Sequence, residues 1–309
     1  METTIKTERH SEEDAMTAIR PRRSALYMPG SNARAIEKAK TLAADVVILD
    51  LEDAVAPEAK AQAREQVCAA VRAGGYGGRE LVIRVNALDT PWGEDDLAAA
   101  AAAQPDAILV PKVSTAETLA AVGLRLRRLG AAERTRVWAM IETPLAILDA
   151  QTIASAARDV DTRLDCFVMG TNDLAKDTRA RLMPGRAAML PWLMTALAAA
   201  RAHGIDILDG VYNSLSDADG FRTECEQGRD CGFDGKTVIH PDQIAVANEV
   251  FAPSRDEIER ARDIVALFEL PQNAGKGAVS HNGRMVERLH AEMARRVLAL
   301  AEAIADRAA

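Results

Sequence analysis

Two stretches, VWAMIETP (residues 137–144) and CFVMGTNDLAKD (residues 166–177), decide how this chain is read. Each is a short apolar run that ends in an acid, Glu142 in the first and Asp173 in the second. A helix start follows at once in both, at Thr143-Pro144 and at Asn172-Asp173. That order is what the upper rim of a parallel α/β barrel looks like, with side chains from successive strands converging on one mouth. Two readings of the acids fit. They are N-caps of ordinary helices, or they hold a hard divalent cation such as Mg²⁺, which takes oxygen ligands and leaves positions for water and substrate.

Outward from this pair, the chain alternates β-branched or aliphatic runs with Ala/Leu/Arg/Glu-rich runs, the mark of β-α units on a parallel sheet. Strands are expected at 24–29, 46–51, 81–85, 107–111, 137–141, 166–169, 205–208 and 237–239. Helices are expected at 33–42, 57–73, 95–103, 115–129, 144–157, 191–203, 217–231 and 241–251. Eight such pairs imply a (β/α)₈ TIM barrel with an additional C-terminal helical extension. An open doubly wound sheet would carry a G-x-G-x-x-G turn after its first strand, and that turn reads MPGSNAR here.

The division expected is a loosely ordered tail over 1–20, the barrel over 21–252 and a C-terminal helical flap over 253–309. In the flap, Ser254 and Glu257 form a capping box. The segment QNAGKGAVSHNGR is expected to be flexible, with a last helix from Met285 to about Arg307.

Composition narrows the function. The 309 residues carry a formal net charge of −8, with 48% hydrophobic and 27% charged residues, which argues against a general nucleic-acid binder. No apolar run is long enough to span a bilayer, and the acidic N-terminus lacks the apolar core of a secretory signal. The four cysteines show no C-x-x-C spacing and read as reduced thiols of a cytoplasmic protein.

Polar residues at the strand ends are the candidate machinery. Strand two ends in Asp50, Glu52 and Asp53, strand three carries Arg84 between aliphatic neighbours, strand four is followed by Lys112, and strand eight lies between Lys236 and His240. A buried arginine needs an anion. Arg84 is read either as a structural salt bridge to Glu52, Asp53 or Glu142, or as a clamp for a substrate carboxylate or enolate. Lys112 and Lys236 read as ion pairs in the barrel wall or as site residues, and His240 as a capped structural histidine or as a ligand or base. The backbone of Gly170, Thr171 and Asn172 shapes a turn or faces a bound anion.

In family order, the motifs RRSALYMPGSN, VVILDLEDAVAPEAK, VIRVN, ILVPKV, IETPLAIL, MGTNDLAKD, GFDGKTVIHPDQI and FAPSRDEIERARDIV resemble the citrate lyase beta subunits and the malyl-CoA and citramalyl-CoA lyases of the HpcH/HpaI aldolase superfamily. The resemblance implies a barrel with Mg²⁺ held by Glu142 and Asp173, and Arg84 holding a 2-oxo acid. It places Glu52 and Asp53 beside the metal and makes the chain a homotrimer or homohexamer in which the flap covers a neighbour's site. It implies a carbon-carbon lyase acting on a CoA thioester or an acyl-carrier thioester, releasing an acetyl thioester and a 2-oxo acid.

Alternatives within the same resemblance are a class II aldolase of a free hydroxy-oxo acid, a malyl-CoA thioesterase, or a carrier-dependent subunit of a larger complex. Arg22, Arg23 and Arg34 are the candidate cations for CoA phosphates. One motif departs from the pattern: where the thioester lyases carry G-x-M-I-D-x-P-H, this chain has GRMVERLH, with Glu287 in place of the acting aspartate and Leu289 in place of proline. Glu287 is the expected acid toward the acetyl carbon, with Asp53 second.

Overall fold

The computed structural model describes residues 19–281 and 283–308, so nearly all of the expected N-terminal tail lies outside the described residues. The described residues form two compact units: Arg22–Ala252, and the chain from Pro253 onward together with residues 19–21. Among the described residues no helix is long and apolar enough to cross a membrane.

The first unit is a closed parallel barrel of eight strands in chain order: β1 (Ser24–Pro29), β2 (Val46–Asp50), β3 (Glu80–Arg84), β4 (Ala107–Val110), β5 (Arg136–Ile141), β6 (Leu164–Met169), β7 (Asp206–Asp209) and β8 (Gly235–Val238). Strand β1 pairs with both β2 and β8 and so closes the ring. The helices around it are α1 (Ala33–Ala39), α2 (Lys60–Ala73), α3 (Gly93–Ala103), α4 (Ala116–Arg128), α5 (Pro144–Leu148), α6 (Ala150–Ser155), α7 (Thr171–Thr178), α8 (Leu190–Ala202), α9 (Ala218–Cys231) and α10 (Asp242–Val250). The eight expected strands are all present. The single helix expected over 144–157 is divided, with Thr143 capping α5 through Ala146 N–H at 3.0 Å and a second start at Asp149.

Strand residues alternate between two apolar layers, as the period of two requires. Leu26, Val47, Leu49, Ile83, Ile108, Ala139, Phe167 and Ile207 face the helices. Ala25, Val46, Ile48, Val82, Leu109, Trp138, Met140, Cys166 and Val168 fill the interior. Each fully buried aliphatic side chain contributes about 1.5–3 kcal/mol, which is why these runs are apolar on both faces. The inward series continues upward in steps of two. After Val46 and Ile48 comes Asp50, after Val82 comes Arg84, and after Trp138 and Met140 comes Glu142. The polar mouth is thus the next layer of the same pattern.

At the opposite end, Arg22 plugs the barrel. Its guanidinium lies 4.8 Å from the centre of the Trp138 ring and reaches Glu80 at 2.8 Å, Asp165 at 2.5 Å and Asp206 at 2.9 Å. Arg22 and Arg23 precede β1, and side chains at the amino end of a barrel strand belong to the face opposite the loops that follow the strands. Arg23 pairs there with Asp45 at 2.8 Å and 3.0 Å. The expectation that Arg23, with Arg22, lies at the first strand's rim to meet CoA phosphates is corrected on that ground. Arg34, on α1 beyond the carboxyl end of β1, is exposed.

In the second unit, α11 (Arg255–Glu269) begins with the expected capping box between Ser254 and Glu257 and packs on α12 (Arg288–Ala308). The segment expected to be flexible forms an antiparallel pair, β9 (Ala278–His281) with β10 (Arg284–Glu287). Met285 pairs with Ser280 in that ladder, so the last helix starts at Arg288 rather than at Met285.

Candidate active site

Arg84 is the centre of the mouth. It is 6% exposed, and a buried guanidinium demands acids. Asp50 supplies a two-pronged partner, with Nε donating to Oδ1 at 2.6 Å and Nη2 to Oδ2 at 2.7 Å. The two residues are register partners on β2 and β3, both at the upper end of the inward series. The acids expected to pair with Arg84 are secondary. Glu52 Oε2 lies 3.0 Å and Asp53 Oδ2 3.3 Å from the remaining nitrogen, Nη1, and Glu142 forms no ion pair with Arg84 among the described residues. The Arg84 plane also stacks on Tyr27, 4.8 Å from the ring centre. Nε and Nη2 are thus committed to Asp50, and Nη1 is shared among Glu52, Asp53 and the Met140 sulfur.

Glu142 is fully buried at the end of β5. Its Oε1 accepts the Lys112 backbone N–H at 2.7 Å, while Oε2 has no hydrogen-bond partner. Room for it comes from Gly170, where a Cβ would lie 2.5 Å from Glu142 Oε2. Gly210 makes similar room for Thr171, whose Oγ1 would be 2.6 Å from a Cβ there. Glu52 Oε2 is likewise buried and lacks a well-aligned hydrogen bond despite its closeness to Arg84. Asp173, in the first turn of α7, keeps 24% of its side chain exposed.

Lys112 stands among these acids. Its ammonium lies 3.4 Å from Asp173, 3.7 Å from Glu52 and 4.0 Å from Glu142. Burial pushes the Glu52 carboxyl up to about 8, with Glu142 and Asp53 adding to the shift and Arg84 opposing it. Burial also raises Glu142, to about 7, against the pull of Lys112. Two carboxyls that titrate near neutrality in one cleft can hold and release protons at working pH.

These donors fit a hard divalent cation. Glu52 and Glu142 each keep a buried Oε2 without a well-aligned donor, while their Oε1 atoms and Asp173 Oδ1 lie within 4.0 Å of one ammonium. Among the described residues no three His, Cys, Asp or Glu side chains come together closely enough to hold a metal ion by themselves. A cation held here would complete its shell with water and substrate oxygens, as Mg²⁺ commonly does.

Of the other expected residues, Thr171 is buried, and Asn172 exchanges amide hydrogen bonds with Asn213 at 2.8 Å and 3.2 Å. Asp53 has 63% of its side chain exposed. Lys236 is an ion pair of the wall, fully buried and bonded to Asp209 at 2.9 Å, Glu224 at 2.8 Å and the Gly210 carbonyl at 2.5 Å. Arg186 completes that network on Asp209 at 2.7 Å. His240 is half-exposed, and its Nδ1 accepts the Asp242 backbone N–H at 3.3 Å. Glu287 ends β10, and its own N–H donates to His290 Nδ1 at 2.9 Å.

The sequence matches the HpcH/HpaI aldolase/citrate lyase family over residues 23–241. The chain belongs to that family. It is 50% identical over 285 residues, covering 92% of this chain and 96% of its relative, to a (3S)-malyl-CoA thioesterase of Cereibacter sphaeroides. An L-malyl-CoA/beta-methylmalyl-CoA lyase from the same species is 35% identical, with 92% and 96% covered. Among solved structures, the protein CitE of Mycobacterium tuberculosis in complex with magnesium, acetoacetate and coenzyme A superimposes with a TM-score of 0.73 at 29% identity, covering 91% of this chain and 98% of that one. This HpcH/HpaI family member thus resembles both a thioesterase and a lyase of malyl-CoA, and the CitE structure that it resembles holds magnesium.

Proposed function

We propose that the protein is a magnesium-dependent enzyme of malyl-type CoA thioesters, with hydrolysis of the thioester as its net reaction. The observation that carries the cation-dependent chemistry is the convergence of Glu52, Glu142 and Asp173 on one positive charge beneath Arg84. The choice of hydrolysis follows the 50% identity to a malyl-CoA thioesterase, against 35% to a lyase.

Glu142 and Asp173 would hold the cation. When bound, Mg²⁺ supplies a Lewis acid for the carboxylate and hydroxyl oxygens of the substrate. Arg84 Nη1 offsets negative charge developing beside it, while Asp50 fixes the guanidinium plane so that no reorganisation is needed. Glu52, whose buried Oε2 has no well-aligned donor, accepts a proton there as the reaction proceeds and returns it afterwards. In hydrolysis that proton comes from water, whose oxygen bonds to the thioester carbon while the carbon-sulfur bond breaks and CoA leaves as the thiol.

Carbon-carbon cleavage is the second reading, favoured by a carboxyl able to take the substrate hydroxyl proton. The pair of electrons from the broken bond then goes to the acetyl carbon, which Glu287 of a flap would protonate, leaving acetyl-CoA and glyoxylate. The reading also has the chain working in the cytoplasm, in keeping with its four free thiols, and as a homotrimer or homohexamer with the flap over a neighbour's mouth.

Purified protein with Mg²⁺ and malyl-CoA separates these readings. Hydrolysis gives free thiol and malate, whereas cleavage gives glyoxylate without free thiol. Absence of both products, or activity indifferent to a chelator, refutes the proposal. Turnover confined to an acyl-carrier thioester, or to a free hydroxy-oxo acid, would move the assignment to those substrates.

A further inference from the structure

Two buried or half-buried lysines sit beside carboxylates in this barrel, and they are built differently. Lys236 has no exposure and bonds three acceptors between 2.5 Å and 2.9 Å, as a fixed wall element does. Lys112 has 44% of its side chain exposed, and its ammonium hovers 3.4–4.0 Å from three acids without a short bond to any of them. Its stem can withdraw toward solvent without unpacking the core.

The backbone at Lys112 is also set for the site. It adopts a left-handed conformation, φ 52°, which disfavours a residue other than glycine. In that conformation the N–H of the same residue holds Glu142 Oε1 at 2.7 Å. The second oxygen of that fully buried carboxylate is left without a partner and faces Gly170. Three acids gathered at one point do not all ionise at neutral pH unless a cation lies among them.

We propose that Lys112 is an internal counter-ion of the cation site: it keeps Glu52, Glu142 and Asp173 together before a divalent cation arrives, and its ammonium is displaced when the cation binds. The inference rests on the cation site proposed above. Lys112 is then a positioning residue that acts through the carboxylates, and it competes with the ion whose place it keeps.

The test uses Mg²⁺ alone as the probe, titrated calorimetrically into the full-length wild type, Lys112→Met and Lys112→Arg, together with melting of each protein in chelator. Removing one positive charge some 4 Å from a dication should tighten Mg²⁺ binding by at least about tenfold in Lys112→Met. In chelator, Lys112→Met should melt below wild type, and the difference should close or reverse at saturating Mg²⁺. Lys112→Arg, which keeps the charge, should melt with wild type in chelator. Equal or weaker Mg²⁺ binding by Lys112→Met overturns the competition. Equal melting of Lys112→Met and wild type in chelator overturns the counter-ion role. A wild type that binds no Mg²⁺ removes the cation site itself, and the melting comparison then still judges Lys112.

Discussion

A methyl group at position 170 would have to sit 2.4 Å from Glu142 Cβ and 2.5 Å from Glu142 Oε2, where ordinary contact begins at 3.4 Å. Neither side has slack. The Gly170 N–H is bonded to the Ile141 carbonyl at 3.1 Å, and Glu142 is fully buried with Oε1 held at 2.7 Å. In Gly170→Ala the carboxylate must therefore move by about 1 Å. A misplacement of that size costs about 100-fold in rate, and overpacking of this kind costs about 1–3 kcal/mol of stability. For a barrel of this size that is a fall of about 2–12 °C in Tm. The assays are kcat and KM for malyl-CoA, a Mg²⁺ titration and a thermal melt. The loss of kcat and of cation affinity should be larger than the small fall in Tm explains. A variant whose Mg²⁺ affinity and kcat stay within about threefold of wild type would refute the idea that Gly170 exists to seat Glu142.

Asp50→Asn leaves the Arg84 charge short of its main partner and should destabilise by about 3 kcal/mol in urea unfolding, whereas a loss below about 1 kcal/mol would mean that Glu52 suffices. Arg22→Met strips the acids of the opposite end of their shared cation. It should lower stability by about 3–5 kcal/mol while kcat stays near wild type, because nothing of the mouth touches that end. Without metal, folded Glu52 keeps a proton up to about pH 8 that the unfolded chain releases above its ordinary value of 4.5. The folded state thus binds more protons between those limits, and stability should fall as pH rises from about 5 to about 8 and level off beyond. Glu52→Gln should flatten that slope in chemical unfolding measured with chelator present. Glu287→Asp should raise the share of glyoxylate over free thiol from malyl-CoA; an unchanged ratio would show that this acid is idle.

Strand positions were legible because the barrel's two-sided burial writes itself as apolar runs, and the acids that end them, Glu142 and Asp173, stand out against that background. Pairings across strands were not legible in the same way. Asp50 was visible at its strand end, but its claim on Arg84 appears only when β2 and β3 are set in register. Arg22 and Arg23 were referred to the wrong face, although their place before β1 was enough to put them at its amino end. The start of α7 was legible at Asn172-Asp173, but its extent was not, because TNDLAKDT offers only Leu174 as a fully buried apolar residue. The hairpin of β9 and β10 was read as loose chain, since strands of four residues between glycines are too short to show alternation. Arg186 had no sequence signal at all: it lies outside every regular element, and its role appears only through Asp209.

The guanidinium at the closed end of the barrel joins residues 58, 143 and 184 positions apart along the chain. A cut after β4 would leave Arg22 and Glu80 on one fragment and Asp165 and Asp206 on the other. The first piece would keep its Arg22–Glu80 pair, but the second would lose the guanidinium that lies on both its acids, so such fragments should associate to recover the knot rather than persist as self-sufficient half-barrels. The molecule is in this sense indivisible from below, while its loops at the other end remain free to diverge.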